Sequence, residues 1–169
     1  MKQNLCLYGL AEDFVKNSAK HLADDLGMYF ADVGALIEFD LQDVERAELL
    51  CGKDYIKKIE NKVVKSVSTF DNTLFVCDFS LLNDDENLEK IRKTSYLIYL
   101  KMSNAKLKKR LEDKGLRHAD VTLKMDMAVP RDKLCKKFAD IVVSCNSDDD
   151  KKIVKNIKTK LLEYMKNGN

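Results

Sequence analysis

The hydrophobic pattern of the chain alternates between short apolar runs and longer segments with helical periodicity. The runs at 74–77, 96–100 and 141–143 lack polar alternation, which is typical of strands buried on both faces. Such strands form parallel sheets covered by helices, so the pattern predicts a three-layer α/β sandwich. The predicted strands are 3–8, 28–31, 73–77, 95–100 and 140–144. The predicted helices are 13–26, 42–51, 53–69, 84–93, 103–113, 131–138 and 148–166.

The number of domains can be inferred from the length of the chain and from its few prolines and glycines. The chain has 169 residues, one proline and six glycines, and it shows no Gly/Ser/Pro-rich linker or internal repeat. These features predict a single domain over residues 1–169. The segment 113–129 has a glycine, Lys114, Arg117 and His118 but little periodicity. It is interpreted either as a lid between a helix and Pro130 or as an irregular surface helix.

Composition narrows the class of protein and its partners. Hydrophobic residues make up 45% and charged residues 34%, which is typical of a soluble globular domain. With 30 basic and 28 acidic residues, the net charge of +2 favours neither nucleic acid nor an anionic membrane as a partner. No apolar stretch approaches the roughly 20 residues that cross a bilayer, and no signal peptide is expected before the first strand. The five cysteines form no CxxC pair, which predicts free buried thiols and a cytoplasmic location.

The first strand and helix have the outline of a phosphate-binding element. The stretch "CLYGLAEDFVKNSAKHLADDLG" runs from an apolar strand through Gly9 into an amphipathic helix. Its turn, however, contains one glycine and two adjacent carboxylates, Glu12 and Asp13. Three interpretations are open from these residues: a phosphate loop, a degenerate phosphate loop and an ordinary βα turn.

Two longer stretches resemble the sequences of the shikimate kinase family. The members of this family are small P-loop kinases of the nucleoside-monophosphate-kinase fold. They are "LYGLAEDFVKNSAKHLADDLGMYFADVGALIE" and "PRDKLCKKFADIVVS". The resemblance implies a five-stranded parallel sheet in the order 2-3-1-4-5 with a lid-like segment at 113–129. It also implies ATP- and Mg²⁺-dependent phosphoryl transfer to a hydroxyl of shikimate, a step of aromatic amino acid biosynthesis.

The phosphate loop is where the chain departs from this family. The family pattern is GxxGxGKST, in which glycines let backbone N–H groups surround the phosphates and the lysine reaches them. In this chain the last glycine position falls on Phe14, the lysine position on Val15, and the Ser/Thr positions on Lys16 and Asn17. The resemblance therefore implies a degenerate Walker A loop.

The two acids of the loop reinforce this interpretation. Glu12 and Asp13 would face a triphosphate, and one pair of like unit charges at 4 Å costs about 4 kcal/mol at an effective dielectric near 20. Both acids suit the N-terminus of a helix, where the macrodipole favours negative charge. We therefore expect the anion site to be occupied by the protein's own side chains. Lys20, one turn after Lys16, is a further cation that could reach the site.

The remaining candidate residues come from the resemblance and from strand ends. The family's Mg²⁺-associated Asp falls on Asp32 and its shikimate-binding Asp on Gly34, while Arg131 matches a substrate-binding Arg. Asp78 ends the apolar run "TLFVCD" and is a second candidate for Mg²⁺. Structural alternatives are caps for Asp32 and Asp78, and for Arg131 pairing with Asp132 or Asp140. The candidates are Asp32, Lys16 and Arg117 for catalysis; Gly9, Lys16, Lys20 and Arg117 for cofactor binding; Arg131, Lys57 and Gly34 for substrate binding; and Asp32 and Asp78 for metal.

Three hypotheses follow for function. The first is a shikimate kinase-like pseudoenzyme that uses no cofactor and binds a shikimate-like small molecule or a protein partner. The second is a divergent active kinase that uses ATP and Mg²⁺, with charge supplied by Lys16, Lys20, Arg117 and Arg131. The third is a structural or oligomerisation module that acts through helices within 42–69.

Overall fold

The computed structural model describes residues 2–147 and 149–167 as alternating strands and helices. The strands are β1 (Asn4–Tyr8), β2 (Tyr29–Asp32), β3 (Thr73–Val76), β4 (Ser95–Lys101) and β5 (Ile141–Ser144). The helices are α1 (Glu12–Leu26), α2 (Val33–Leu41), α3 (Val44–Cys51), α4 (Lys53–Val67), α5 (Phe79–Leu82), α6 (Asp85–Thr94), α7 (Asn104–Asp113), α8 (His118–Phe138) and α9 (Asp150–Lys166). The first position of the helix predicted at 148–166 lies outside the described residues.

The strands form one five-stranded sheet in the order β2-β3-β1-β4-β5. All neighbouring pairs are parallel, and β1 lies at the centre, with Leu5 opposite both Leu74 of β3 and Tyr96 of β4. The predicted fold class and strand order are therefore confirmed. Because parallel strands end at the same edge, the segments after β1, β2 and β3 lie side by side.

Alternation along the strands divides the core into two layers, one on each face of the sheet. Leu5 and Leu7 of β1 point into a cluster with α1, α7 and α9. Cys6 and Tyr8 point into a second cluster, which contains residues of α2, α4, α6 and α8. This is the three-layer sandwich that the apolar runs predicted.

Two helices were missed in the prediction, and one boundary was wrong. Helix α2 is apolar on most sides and contains Gly34, so helical periodicity is weak there, and α5 has only four residues. The predicted helix start at 131 is wrong, because α8 runs from His118 through Pro130 to Phe138. Proline lacks an N–H and usually ends a helix, but packing of the flanking turns holds this one together.

Two buried tyrosines hold α8 against the sheet. The hydroxyl of Tyr8 donates to the carbonyl oxygen of Cys135 at 2.7 Å, and that of Tyr99 donates to Asp132 Oδ1 at 2.8 Å. The two rings stack with centroids 5.5 Å apart. Burial raises the pKa of both hydroxyls far above the ordinary value, so both remain protonated donors. These bonds set the position of α8 beside the carboxyl edge of the sheet.

Four of the five cysteines match the prediction of buried free thiols, and Cys51 does not, because it is exposed. The buried ones are Cys6, Cys77, Cys135 and Cys145. Over the described part of the chain, no helix has both the length and the apolar character that crossing a membrane requires.

Candidate functional site

The connection between β1 and α1 is short. It consists only of residues 9–11, because α1 begins at Glu12. A Walker A loop uses about eight residues to surround the phosphates. Here the N–H of Val15 donates to the carbonyl oxygen of Ala11 at 2.9 Å, as the first bond of the helix. The residue at the lysine position therefore already belongs to a regular helix.

Side chains occupy the space beneath this turn. Val15 is 3% exposed, and Phe14, at the last glycine position, is buried in the same core. The space between Gly9, Glu12, Val15, Lys16 and the end of β3 measures about 10 Å³. A single water needs roughly 10–15 Å³, so little room remains here between the side chains.

The carboxylate of Asp13 is held by two cations of α7 and the turn that follows it. Its oxygens accept from Arg110 at 3.3 Å and from Lys114 at 3.0 Å. Partial burial acts to raise the pKa of Asp13, but the bonds and charges of Lys114 and Arg110 outweigh it and hold that pKa below its ordinary value. Asp13 lies in the first turn of α1, as expected for a carboxylate that the helix dipole favours, and its carboxylate is also bound by cations of another part of the chain.

Lys16 also has an internal partner. Its Nζ lies 3.1 Å from Oδ2 of Asp32, at the end of β2. The other oxygen of Asp32 accepts from the N–H of Ala35 at 3.1 Å and caps α2. Desolvation acts to lower the pKa of Lys16, but its bond to Asp32 and the nearby charges of Asp78 and Glu12 raise it overall. Asp32 therefore performs both the capping role and an ion-pair role.

Asp78 lies beside this pair. Burial first, and then the charge of Glu12, raises the pKa of Asp78, although Lys16 acts to lower it. A Cβ added to Gly34 would lie 3.4 Å from Oδ1 of Asp32 and 3.4 Å from Oδ2 of Asp78, so the glycine separates the two carboxylates.

These residues do not fit a bound Mg²⁺ as they are arranged. Within residues 2–147 and 149–167, no group of three His, Cys, Asp or Glu side chains could hold a metal ion. Both oxygens of Asp32 are engaged, one by Lys16 and one by Ala35. Since Mg²⁺ requires near-ideal octahedral oxygen ligands, no step through a metal is derived.

A larger cavity lies on the other side of the turn, between the β1–α1 turn, the start of α1, α5, α7 and α8. Its volume is about 240 Å³. Its walls combine apolar side chains with one carboxylate and two cations, a mixture typical of sites for small molecules. The lining residues are Gly9, Leu10, Glu12, Phe79, Leu107, Leu111, Lys124, Met127, Ala128 and Arg131.

Arg131 and Lys124 are the two cations of this cavity. The carboxylates that were the structural alternative for Arg131 have other partners: Asp132 accepts from Tyr99 and Lys136, and Asp140 accepts from Lys2. The guanidinium of Arg131 instead lies over the ring of Phe79, 5.4 Å from its centroid. Neither Arg131 nor Lys124 forms an ion pair with another residue of the described ranges.

Three predicted site residues lie away from both this cavity and the group formed by Lys16, Asp32, Gly34 and Asp78. Arg117 is at the N-terminus of α8, where it pairs with Asp120 at 2.9 Å and is largely exposed. Lys20 lies over the ring of Phe30, 5.7 Å from its centroid. Lys57 pairs with Asp84 at 2.9 Å, the residue that caps α6, and this bond raises the pKa of Lys57. Whether any of them contacts a ligand remains a prediction.

Lys124 was missed because Pro130 was taken as a helix boundary. On a continuous helix, Lys124 and Arg131 are seven residues apart and share a face with Met127 and Ala128. The signal was present in the spacing, but it is visible only once α8 extends through the proline. The predicted lid segment comprises the end of α7, the turn after it and the first half of α8, and its lid role remains a prediction.

Comparisons with known proteins agree with this geometry at the level of family and fold. A family model described as shikimate kinase matches residues 16–162. A shikimate kinase of Chloroherpeton thalassium is 29% identical over 94 residues, which are 55% of this chain and 50% of that protein. The match thus spans half the length of that relative.

Solved structures show the same fold at low sequence identity. A shikimate kinase from Acinetobacter baumannii, solved in complex with shikimate, superposes with a TM-score of 0.80 at 18% identity over 96% of this chain and 94% of that one. A shikimate kinase from Bacteroides thetaiotaomicron gives 0.79 at 19% identity over 95% and 98%. Together with the family model, which covers most of the chain, these matches show that the protein belongs to the shikimate kinase family.

Proposed function

We propose that this protein is a shikimate kinase-family member that does not hold nucleotide phosphates in the family's manner and instead binds a small anionic molecule. The observation that carries the proposal is the closed β1–α1 turn, where Val15 is buried and only about 10 Å³ remains between the side chains. Phosphoryl transfer depends on positioned positive charge and on room for the phosphates. The turn offers neither.

The ligand class follows from the open cavity beside the turn. Its two cations face one carboxylate, Glu12, so the walls carry a formal net charge of +1 and favour a monoanion. The guanidinium of Arg131 suits a planar carboxylate, and the apolar walls suit a carbon ring. A carboxylate-bearing cyclic polyol of the shikimate type fits these requirements.

The experiment is isothermal titration with ATP, ADP and shikimate, each with and without Mg²⁺. We expect no nucleotide heat and a shikimate signal that does not depend on Mg²⁺. Arg131→Met and Lys124→Met should each weaken shikimate binding by about 10- to 100-fold, the range for a lost charge-assisted hydrogen bond of about 1.5–3 kcal/mol. Lys133→Met is the matched control, because Lys133 is an exposed cation of α8 that does not line the cavity.

The divergent-kinase alternative makes the opposite prediction. Mg²⁺-dependent nucleotide binding at micromolar affinity, followed by phosphate transfer to shikimate, would replace the proposal with that alternative. Three of the four cations that this alternative would use, Lys16, Lys20 and Arg117, each contact another side chain of the protein. These contacts count against the alternative. The divergent-kinase alternative also requires that Lys20→Met and Arg117→Met each lose turnover.

A protein partner is the second candidate, favoured by large apolar side chains that are exposed. Phe39 of α2 is 80% exposed, and Leu49 and Leu50 of α3 are 85% and 70% exposed. Exposed apolar side chains mark protein interfaces when they form a contiguous patch. Light scattering of the wild type and of Leu49→Glu tests it: a dimer that dissociates in the variant supports an oligomerisation module, and a monomer in both cases counts against one.

A further inference from the structure

One ammonium group faces three carboxylates at the carboxyl edge of β1, β2 and β3. Lys16 Nζ is 3.1 Å from Asp32 Oδ2, and Asp78 and Glu12 are near enough for their charges to act on it. These groups come from three different elements: α1 supplies Lys16 and Glu12, β2 ends at Asp32, and Asp78 follows β3.

The glycine at position 34 keeps the carboxylates in this arrangement. Oδ1 of Asp32 and Oδ2 of Asp78 are each 3.4 Å from the point where a Cβ of residue 34 would lie. The two acids therefore approach each other across a residue without a side chain. When all three acids are ionised, they carry a formal charge of −3, and like charges held close together repel one another in a partly buried site.

A cluster of this charge needs a cation, and the structure provides one within the chain. Lys16 is covalently attached, so its ammonium pays no translational entropy on occupying the site, whereas a free ion does. The space beside Lys16, Asp78 and Gly9 is about 10 Å³, close to the volume of a single water, so the ammonium and a hydrated ion would compete for it.

We propose that the Lys16 ammonium is the resident cation of the Asp32–Asp78 cluster and excludes divalent metal ions from it. The site is thus independent of metal, which is the reverse of the Mg²⁺ requirement that the family resemblance implies. This inference concerns the chain's own charges, and it holds whether or not the neighbouring cavity binds the proposed ligand.

The test is a Mn²⁺ titration, with the metal alone as probe. Binding is measured from the electron paramagnetic resonance signal of the free ion. We expect no saturable binding to the wild type. In Lys16→Met, Mn²⁺ affinity should rise by about tenfold or more, because two aspartates and a glutamate then lack a counter-charge. Adding Asp78→Asn to Lys16→Met should abolish that gain. Lys16→Gln serves as a second uncharged variant, and circular dichroism establishes that each variant is folded.

Lys20→Met is the matched control, since Lys20 lies one turn further along α1 and contacts Phe30. The proposal is overturned if folded Lys16→Met and Lys16→Gln bind Mn²⁺ no better than the wild type, or if Lys20→Met gains as much. Wild-type Mn²⁺ binding that Asp78→Asn removes would also overturn it. None of these results depends on ATP or shikimate, so failure here is distinguishable from failure of the proposed function.

Discussion

Replacing Gly9 by alanine tests whether the one glycine left in the β1–α1 turn serves packing or phosphate binding. A Cβ at this position would lie 2.8 Å from the carbonyl oxygen of Leu100 and 2.9 Å from Cγ2 of Val15. Both distances are well below van der Waals contact. Leu100 belongs to β4, the strand beside β1, and Val15 is buried, so neither atom can move away easily.

The expected cost follows from these contacts. Overpacking a rigid site by one methyl group destabilises a protein by about 1–3 kcal/mol. With an m-value of about 2 kcal/mol per molar urea, the midpoint of unfolding should fall by roughly 0.5–1.5 M. Gly9→Ala should leave the m-value unchanged, because the surface exposed on unfolding is almost the same.

A double-mutant cycle with Val15→Ala identifies which contact is responsible. Val15→Ala alone should destabilise the protein by creating a small cavity, whereas it also removes Cγ2 from the path of the new methyl group. The double variant should therefore cost less than the sum of the two single variants. Strict additivity, or a Gly9→Ala midpoint equal to that of the wild type, would refute the close packing described for this turn.

Three further predictions concern stability. Pro130→Ala should raise the melting temperature by several degrees. The alanine restores an N–H that can donate to the carbonyl oxygen of Asp126, and it removes a clash worth up to about 3 kcal/mol. An unchanged melting temperature would mean that α8 already accommodates the proline without cost. Asp78→Asn should stabilise the protein at pH 8, because the pKa of Asp78 is raised in the folded state and its ionised form therefore opposes folding. This gain in stability should vanish as the pH falls below the ordinary aspartate pKa of about 3.9. A gain that persists at lower pH would contradict the raised pKa. Tyr99→Phe removes the 2.8 Å bond to Asp132 and should lower the free energy of unfolding by about 0.5–1.5 kcal/mol in urea titrations, whereas a neutral result would show that this bond does not hold α8.

Much of the fold could be predicted because its signals are local. Continuous apolar runs mark strands such as β3 and β4, and the five predicted strands all form, with no end shifted by more than one residue. Helix α2 escaped prediction because its apolar residues do not follow one face, and α8 because proline normally ends a helix. In both cases contacts with other elements outweighed the local preference.

The candidate site could be predicted only in part. The loss of the Walker A lysine and glycines is evident from Phe14 and Val15 in the sequence, and the helical start of α1 at Glu12 agrees with it. The partners of the charged residues could not be foreseen. Arg117 was assigned to the site on its position in the chain, yet it pairs with Asp120, three residues away.

The sequence by itself determined the layers, the strand order through its family resemblance, and the residue types at the positions of the phosphate loop, because these depend on periodicity and on residue type at fixed spacing. Only the tertiary structure decided how the charges are paired. Asp13 meets Arg110 from 97 positions away, and Lys16 meets Asp32 because strand ends converge at one edge of a parallel sheet. Charged side chains interact with the groups that lie near them in space, because screening by salt weakens interactions over longer distances. Local sequence patterns do not encode which groups these are.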